Sequence, residues 1–100
     1  MWILETSDSS TDGVTFRLPP GTVKTIGRSA GAEFILEAPL VSRLHCQLTS
    51  TADSLHVKDL DSTNGTFVNG KRVTTSPLRQ GDRLTVGRVE FTVSKSQQGV

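Results

Sequence analysis

Along most of this chain apolar and polar residues alternate with the two-residue period of a half-buried strand, in short runs separated by turn-forming residues. Val14, Phe16 and Leu18 alternate with Thr15 and Arg17 until Pro19-Pro20-Gly21 ends the run. Cys46 and Leu48 share a face of the stretch His45 to Thr49, and Leu55 and Val57 oppose His56 and Lys58 in Leu55 to Leu60. Trp2-Ile3-Leu4, Thr22 to Ile26, Phe34-Ile35-Leu36, Lys71-Arg72-Val73, Arg83 to Val86 and Val89 to Val93 read as further strands. Between them the sequence predicts a hairpin loop at Ser7 to Gly13 and turns at Ser50 to Asp53, near Pro77, at Gln80-Gly81-Asp82 and at Gly87-Arg88. No stretch has the period of a helix. About ten short strands with closely spaced turns predict an all-β antiparallel sandwich, whose loops gather at its two ends.

The stretch Asp61 to Gly70 stands out within this pattern. Asn64-Gly65 and Asn69-Gly70 bracket the β-prone run Thr66-Phe67-Val68, and Asn-Gly favours tight turns that need positive φ. A short strand between two tight turns is predicted. The first turn carries Ser62, Thr63 and Asn64, whose hydroxyl and amide groups suit an anion or a peptide backbone. Two other polar loop tips are predicted, Arg28 and Ser42-Arg43. A rigid sandwich can hold such tips near one another.

Composition narrows the functional classes. Eleven Lys and Arg against ten Asp and Glu leave a formal charge of +1, so the chain as a whole lacks the footprint of a nucleic-acid or membrane-surface binder. Recognition must then be local. The single Cys46 allows no internal disulfide, no zinc-ligand spacing is present, and no cofactor is expected. No apolar run reaches the roughly 18 residues of a membrane span, and no targeting segment is visible, which predicts an intracellular protein.

Gly27-Arg28, Ser42-Arg43-Leu44-His45, the run from Ser62 to Gly70, and Gly81-Asp82 before Leu84, in this order and spacing, resemble a forkhead-associated (FHA) domain. The resemblance covers nearly the whole chain, with the domain placed at residues 1–94 and a tail or linker at 95–100. It implies a sandwich of about eleven strands that binds phosphothreonine segments of partner proteins through loops at one end. By the family pattern Arg28 and Ser42 meet the phosphate, Arg43 adds charge, Thr63 lies beside the phosphothreonine, and Asn64 holds the peptide backbone. Gly27, His45, Gly65 and Asn69 match positions that build the loops. Family members select a residue after the phosphothreonine near positions corresponding to Leu40 and to the Gly87-Arg88 turn. Leu40 would suit an apolar side chain and Arg88 an acidic one, and the acidic choice is the expectation.

The same residues make chemical sense without the family. A phosphate carries about −1.5 to −2 charges near neutral pH, and an arginine fork with hydroxyl and amide donors suits its oxygens. An asparagine beside it can donate to a peptide carbonyl and accept from a peptide N–H. Taken singly, Arg28 reads as a solvated surface charge and Ser42 as a local turn bond. His45 reads as an uncharged ring bracing the Ser42 loop, and Cys46 as a small core residue. A hydrolase using Ser42 or Cys46 with His45 and Asp59 or Asp61 is disfavoured, because His45 and Cys46 are strand neighbours facing opposite ways and no glycine-rich nucleophile turn precedes Ser42. The start Met1-Trp2-Ile3-Leu4 resembles the nibrin branch of the family, which implies a nuclear DNA-repair adaptor with further domains after Val100. A generic kinase-signalling adaptor, or an FHA-like scaffold without phosphate binding, is the alternative. A monomeric domain is expected.

Overall fold

The computed structural model describes residues 1–6 and 13–96, so most of the hairpin loop expected at Ser7 to Gly13 lies outside the described residues, as do residues 97–100 of the tail. Eleven strands follow in chain order: β1 (Trp2–Thr6), β2 (Thr15–Leu18), β3 (Val23–Gly27), β4 (Phe34–Ile35), β5 (Cys46–Ser50), β6 (Leu55–Asp59), β7 (Thr66–Val68), β8 (Lys71–Val73), β9 (Thr75–Leu78), β10 (Arg83–Val86) and β11 (Val89–Lys95). They form a six-stranded sheet ordered β2-β1-β11-β10-β7-β8 and a five-stranded sheet ordered β4-β3-β5-β6-β9. The alternation seen in the sequence drives this layering. Leu4, Leu18, Leu84, Phe91 and Val93 of one sheet meet Ile26, Leu48, Leu55 and Val57 of the other in a fully buried core. The Phe16 and Phe34 rings stack at 4.4 Å, tying β2 to β4 across the open edge.

Three local expectations are corrected. Pro77 lies inside β9, opposite His56, and not in a turn. β9 is an edge strand, so a residue without an N–H is tolerated there. Ser94, expected beyond the end of the strand, and Lys95, assigned to the tail or linker, continue β11 opposite Ile3 and Trp2, because ladder bonds need backbone and not apolar side chains. Lys95 also places its ammonium 5.4 Å from the centroid of the buried Trp2 ring. The third concerns direction. β3 and β4 run parallel, with Ile26 opposite Phe34 and Gly27 opposite Ile35, since segment 28–33 loops out and returns.

The ladders also decide which loops meet. Ile26 of β3 lies opposite Cys46, the first residue of β5, and Cys46 lies opposite Asp59, the last of β6. Thr66, the first residue of β7, pairs with Val86, the last of β10. Segments 28–33, 36–45 and 60–65 and the turn at 87–88 therefore gather at one end of the sandwich. The Asn69-Gly70 turn lies at the other end of β7, with φ of 52° and 83° at its two central residues. That is the turn geometry for which Asn-Gly is favoured. Asn64 has no positive φ, and only Gly65 of the first pair, at 94°, does.

Candidate functional site

At the loop-rich end, segment 36–45 is tied by its backbone to the end of β3. The His45 N–H donates to the Ile26 carbonyl at 2.8 Å, and the Arg28 N–H to the Ser42 carbonyl at 3.0 Å. Gly27 makes this approach possible. A Cβ added there would stand 1.9 Å from the Arg43 carbonyl oxygen, a clash with backbone that no rotamer relieves. The same Arg43 oxygen accepts from the Ser29 N–H and hydroxyl, at 3.3 and 3.2 Å. Arg28 is thus held at its base, and its Nε–H donates to the Val41 carbonyl at 3.0 Å. This contact orients the guanidinium, with two terminal amino groups left for an anion. Sequence reasoning missed Val41, because a backbone carbonyl has no signature in the residue type.

A backbone bond from the Leu60 N–H to the His45 carbonyl at 2.9 Å and three bonds through side chains then join segments 36–45 and 60–65. Thr63 donates its N–H to the Ser42 hydroxyl at 3.1 Å, which leaves the Ser42 O–H hydrogen to donate elsewhere. Asn64 donates from Nδ2 to the Leu40 carbonyl at 3.1 Å. The third runs through His45, whose Nδ1 accepts the Ser42 N–H at 3.0 Å while Nε2 lies 2.8 Å from the Gly65 carbonyl. An amide N–H can only donate, so Nδ1 is the bare nitrogen and Nε2 carries the hydrogen. His45 is completely buried, and its ring ties the Ser42 amide of one loop to the Gly65 carbonyl of the other.

Ser62 departs from expectation. It is 7% exposed and turned away from the loop tip, with its hydroxyl donating to Asp59 Oδ1 at 2.5 Å and accepting the Gly65 N–H at 3.0 Å. Asp59 also accepts from the Ser62 N–H at 3.1 Å and the Thr66 hydroxyl at 2.7 Å. Burial alone would raise the Asp59 carboxyl, but these donors outweigh it and hold it below the usual carboxylate range. A depressed folded-state value stabilises the fold above the ordinary carboxylate pKa, and that contribution is lost as pH falls through the folded value. Asp59→Asn should therefore lower the melting temperature near pH 7 and flatten the parent's decline below about pH 4. Thermal unfolding of both proteins between pH 2 and 7 checks this, and parallel curves would refute it.

The resulting end surface carries two open hollows, of about 730 and 610 Å³, which share Arg28, Ser42 and Thr63. Leu40 and Asn64 line the larger, Arg43 and Leu44 the smaller. Arg28, Ser42, Arg43, Thr63 and Asn64, scattered through the sequence, are thus brought to one cleft. Leu40 is exposed at a φ of 71°, and its carbonyl oxygen stands 2.8 Å from where a Cβ on Gly87 would be. The specificity candidates Leu40 and Gly87 are therefore neighbours, whereas Arg88 lines neither hollow. Asn69 is a loop-builder at the far end: its side chain donates to Asp82 at 3.1 Å and accepts the Arg83 N–H at 2.9 Å.

A nucleophile geometry is not formed. His45 meets the Ser42 amide and not its hydroxyl, and both ring nitrogens are engaged. Burial and the nearby Asp59 charge push the Cys46 thiol up to about 12, which leaves it an inert core group.

The β-sandwich thus presents an oriented guanidinium, two hydroxyl-bearing loops and a carboxamide around an open cleft, a set of donors whose chemistry suits an anionic group. The chain belongs to the forkhead-associated domain family, whose FHA domain model matches residues 24–87. Members of this family are interaction modules. The ABC transporter ATP-binding/permease protein Rv1747 of Mycobacterium tuberculosis is 40% identical over 78% of this chain, and 9% of that protein is covered. The FHA domain of FhaA, solved in complex with the intracellular domain of Rv3910, superposes with a TM-score of 0.83 at 35% identity, over 93% of this chain and 99% of that one. A domain solved in a study of phosphothreonine-dependent FHA domain interactions reaches 0.86 at 34% identity, over 96% and 97%.

Zebrafish nibrin is 32% identical over 95% of this chain, of which 12% of nibrin is covered, so the mycobacterial relatives match better. The nibrin-like start has a packing explanation: Trp2 is 5% exposed, in the core of β1. Those better-matching relatives are bacterial, and the nuclear placement has no support from them. The chain spans a small part of these longer relatives.

Proposed function

We propose that this module binds phosphothreonine-containing protein segments, with Arg28 as phosphate anchor, Ser42, Arg43 and Thr63 around the phosphothreonine, and Asn64 holding the peptide backbone. The observation that carries this reading is the junction of the two hollows at Arg28, Ser42 and Thr63, where a fork, a hydroxyl and a threonine loop converge. Asn64 spends one Nδ2 hydrogen on Leu40. Its other hydrogen and its Oδ1 suit the N–H and carbonyl of an extended ligand. Protein kinases write phosphothreonine, so a reader of it serves as a kinase-signalling adaptor that recruits phosphorylated partners. The bacterial relatives favour this over a DNA-repair role, for which the weaker nibrin match is the support. The binding unit is assigned to residues 1–95, since β11 continues to Lys95.

Preference for phosphothreonine over phosphoserine separates this reading from a general anion site. Both ligands present the same phosphate, and only the threonine methyl differs. Free burial of a methyl-sized group is worth about 0.8 kcal/mol, roughly fourfold, while a pocket unable to collapse raises a one-carbon difference to about 1–3 kcal/mol. The bonds joining Ser42 to Thr63 and His45 to Gly65 argue for the rigid case. Phosphoserine should bind at least about tenfold more weakly, and unmodified threonine more weakly still. Calorimetric titration with three peptides that differ only at this residue tests it, and equal affinity for the phosphorylated pair would reduce the cleft to a basic patch.

A further inference from the structure

Glu37, Ala38 and Pro39 form a wall between two depressions. On one side lies the groove that holds Arg28, Ser42 and Asn64. On the other lies a third hollow of about 490 Å³, lined mainly by apolar side chains, among them Ile35, Leu36 and Val89. Ile35 is 46% exposed although it belongs to a strand, because its neighbour Phe34 takes the inward position against Phe16 and alternation turns Ile35 outward. Glu37 lines both depressions and is the one charged side chain of the third hollow. No ion pair with it is found among the described residues.

We infer that the third hollow is a second subsite of the same recognition surface, and that it takes an apolar side chain of the phosphopeptide itself, with a basic ligand residue beside it over Glu37. The inference rests on the phosphothreonine reading above. The occupant follows from continuity: Glu37, Ala38 and Pro39 line both hollows, so a chain seated on Arg28 and Asn64 that continues past them enters the hollow that Ile35 lines. Charge order supports it, since the surface passes from a hollow where Arg28 and Arg43 outnumber Asp61 to the anionic Glu37 and then to an apolar floor. A ligand carrying an anion, a cation and an apolar side chain in that order is complementary throughout. Arg88, which had suggested an acidic preference, lines none of these three depressions.

The test uses a short phosphothreonine core peptide, extended on either flank with serine and with one leucine moved through each added position. A lysine or a glutamate precedes the leucine. One position should raise affinity on the order of fivefold over serine, as partial burial of a leucine predicts, with lysine favoured over glutamate beside it. Ile35→Ser should remove that leucine gain while core-peptide affinity stays unchanged, and Glu37→Lys should reverse the lysine preference. Ile35→Thr, which keeps a β-branched side chain in the strand, serves if the serine variant melts early. A core peptide that binds with no leucine gain at any position, or with a gain that survives both Ile35 variants, overturns the subsite alone. Failure of the core peptide to bind overturns the phosphothreonine reading and the subsite with it.

Discussion

Arg28→Ala should weaken phosphothreonine-peptide binding by about a hundredfold or more. A charge-assisted hydrogen bond is worth about 1.5–3 kcal/mol, and a guanidinium placing both terminal groups on one phosphate makes two. Their loss amounts to about 3 kcal/mol at the low end, where each 1.4 kcal/mol is tenfold. The structure adds a smaller effect that the sequence did not suggest. Arg28 Nε–H is bonded to the carbonyl of the buried Val41, so the alanine variant also loses a loop contact worth about 0.5–1.5 kcal/mol. A melting temperature lower by a few degrees is expected, with the sandwich still folded. Arg28→Lys keeps the charge and loses the planar fork, and should fall between the two. Calorimetry and thermal unfolding of the three proteins measure both effects, and alanine binding within a few-fold of the parent would refute the anchor assignment.

For His45→Ala the larger effect should be on stability. The ring satisfies the Ser42 N–H and the Gly65 carbonyl at once, both inaccessible to a methyl group. Each buried partner left unsatisfied costs about 1–3 kcal/mol, so a loss on the order of 3 kcal/mol is expected. For a domain of this size that corresponds to roughly 10 °C or more in melting temperature. Affinity should fall too, because Ser42 and Thr63 lose one of the ties that hold their loops together. His45→Gln can restore the bond to Gly65 but not the one to Ser42, and should recover part of the stability. Emission of the single Trp2 follows unfolding in each variant. A His45→Ala domain that melts like the parent yet no longer binds would make His45 a ligand contact and not a brace.

These two residues also mark what the sequence could and could not convey. Alternation at Val14 to Leu18, His45 to Thr49 and Leu55 to Leu60 was enough to place strands, because period-two burial is written directly in side-chain type. Asn69-Gly70 announced its turn for the same local reason, a demand for positive φ. The candidates Arg28, Ser42, Arg43, Thr63 and Asn64 came from a family pattern spread over several blocks, and the structure brings these residues to adjoining hollows at one end of the sandwich.

Tertiary structure decided the rest. Pro77 looked like a turn and became an edge strand because the neighbouring β6 offered it a ladder on one side only. Ser62 looked like part of the binding tip, but Asp59 at the end of β6 drew its hydroxyl inward. The Val41 carbonyl beneath Arg28, the tautomer of His45 and the wall at Glu37 all depend on backbone atoms brought together from distant segments. Side-chain period and turn chemistry are local properties and survive in a linear string of residues; the partner of a carbonyl, and the face on which a loop side chain ends, exist only once two sheets have packed and their ladders have fixed which loops share an end.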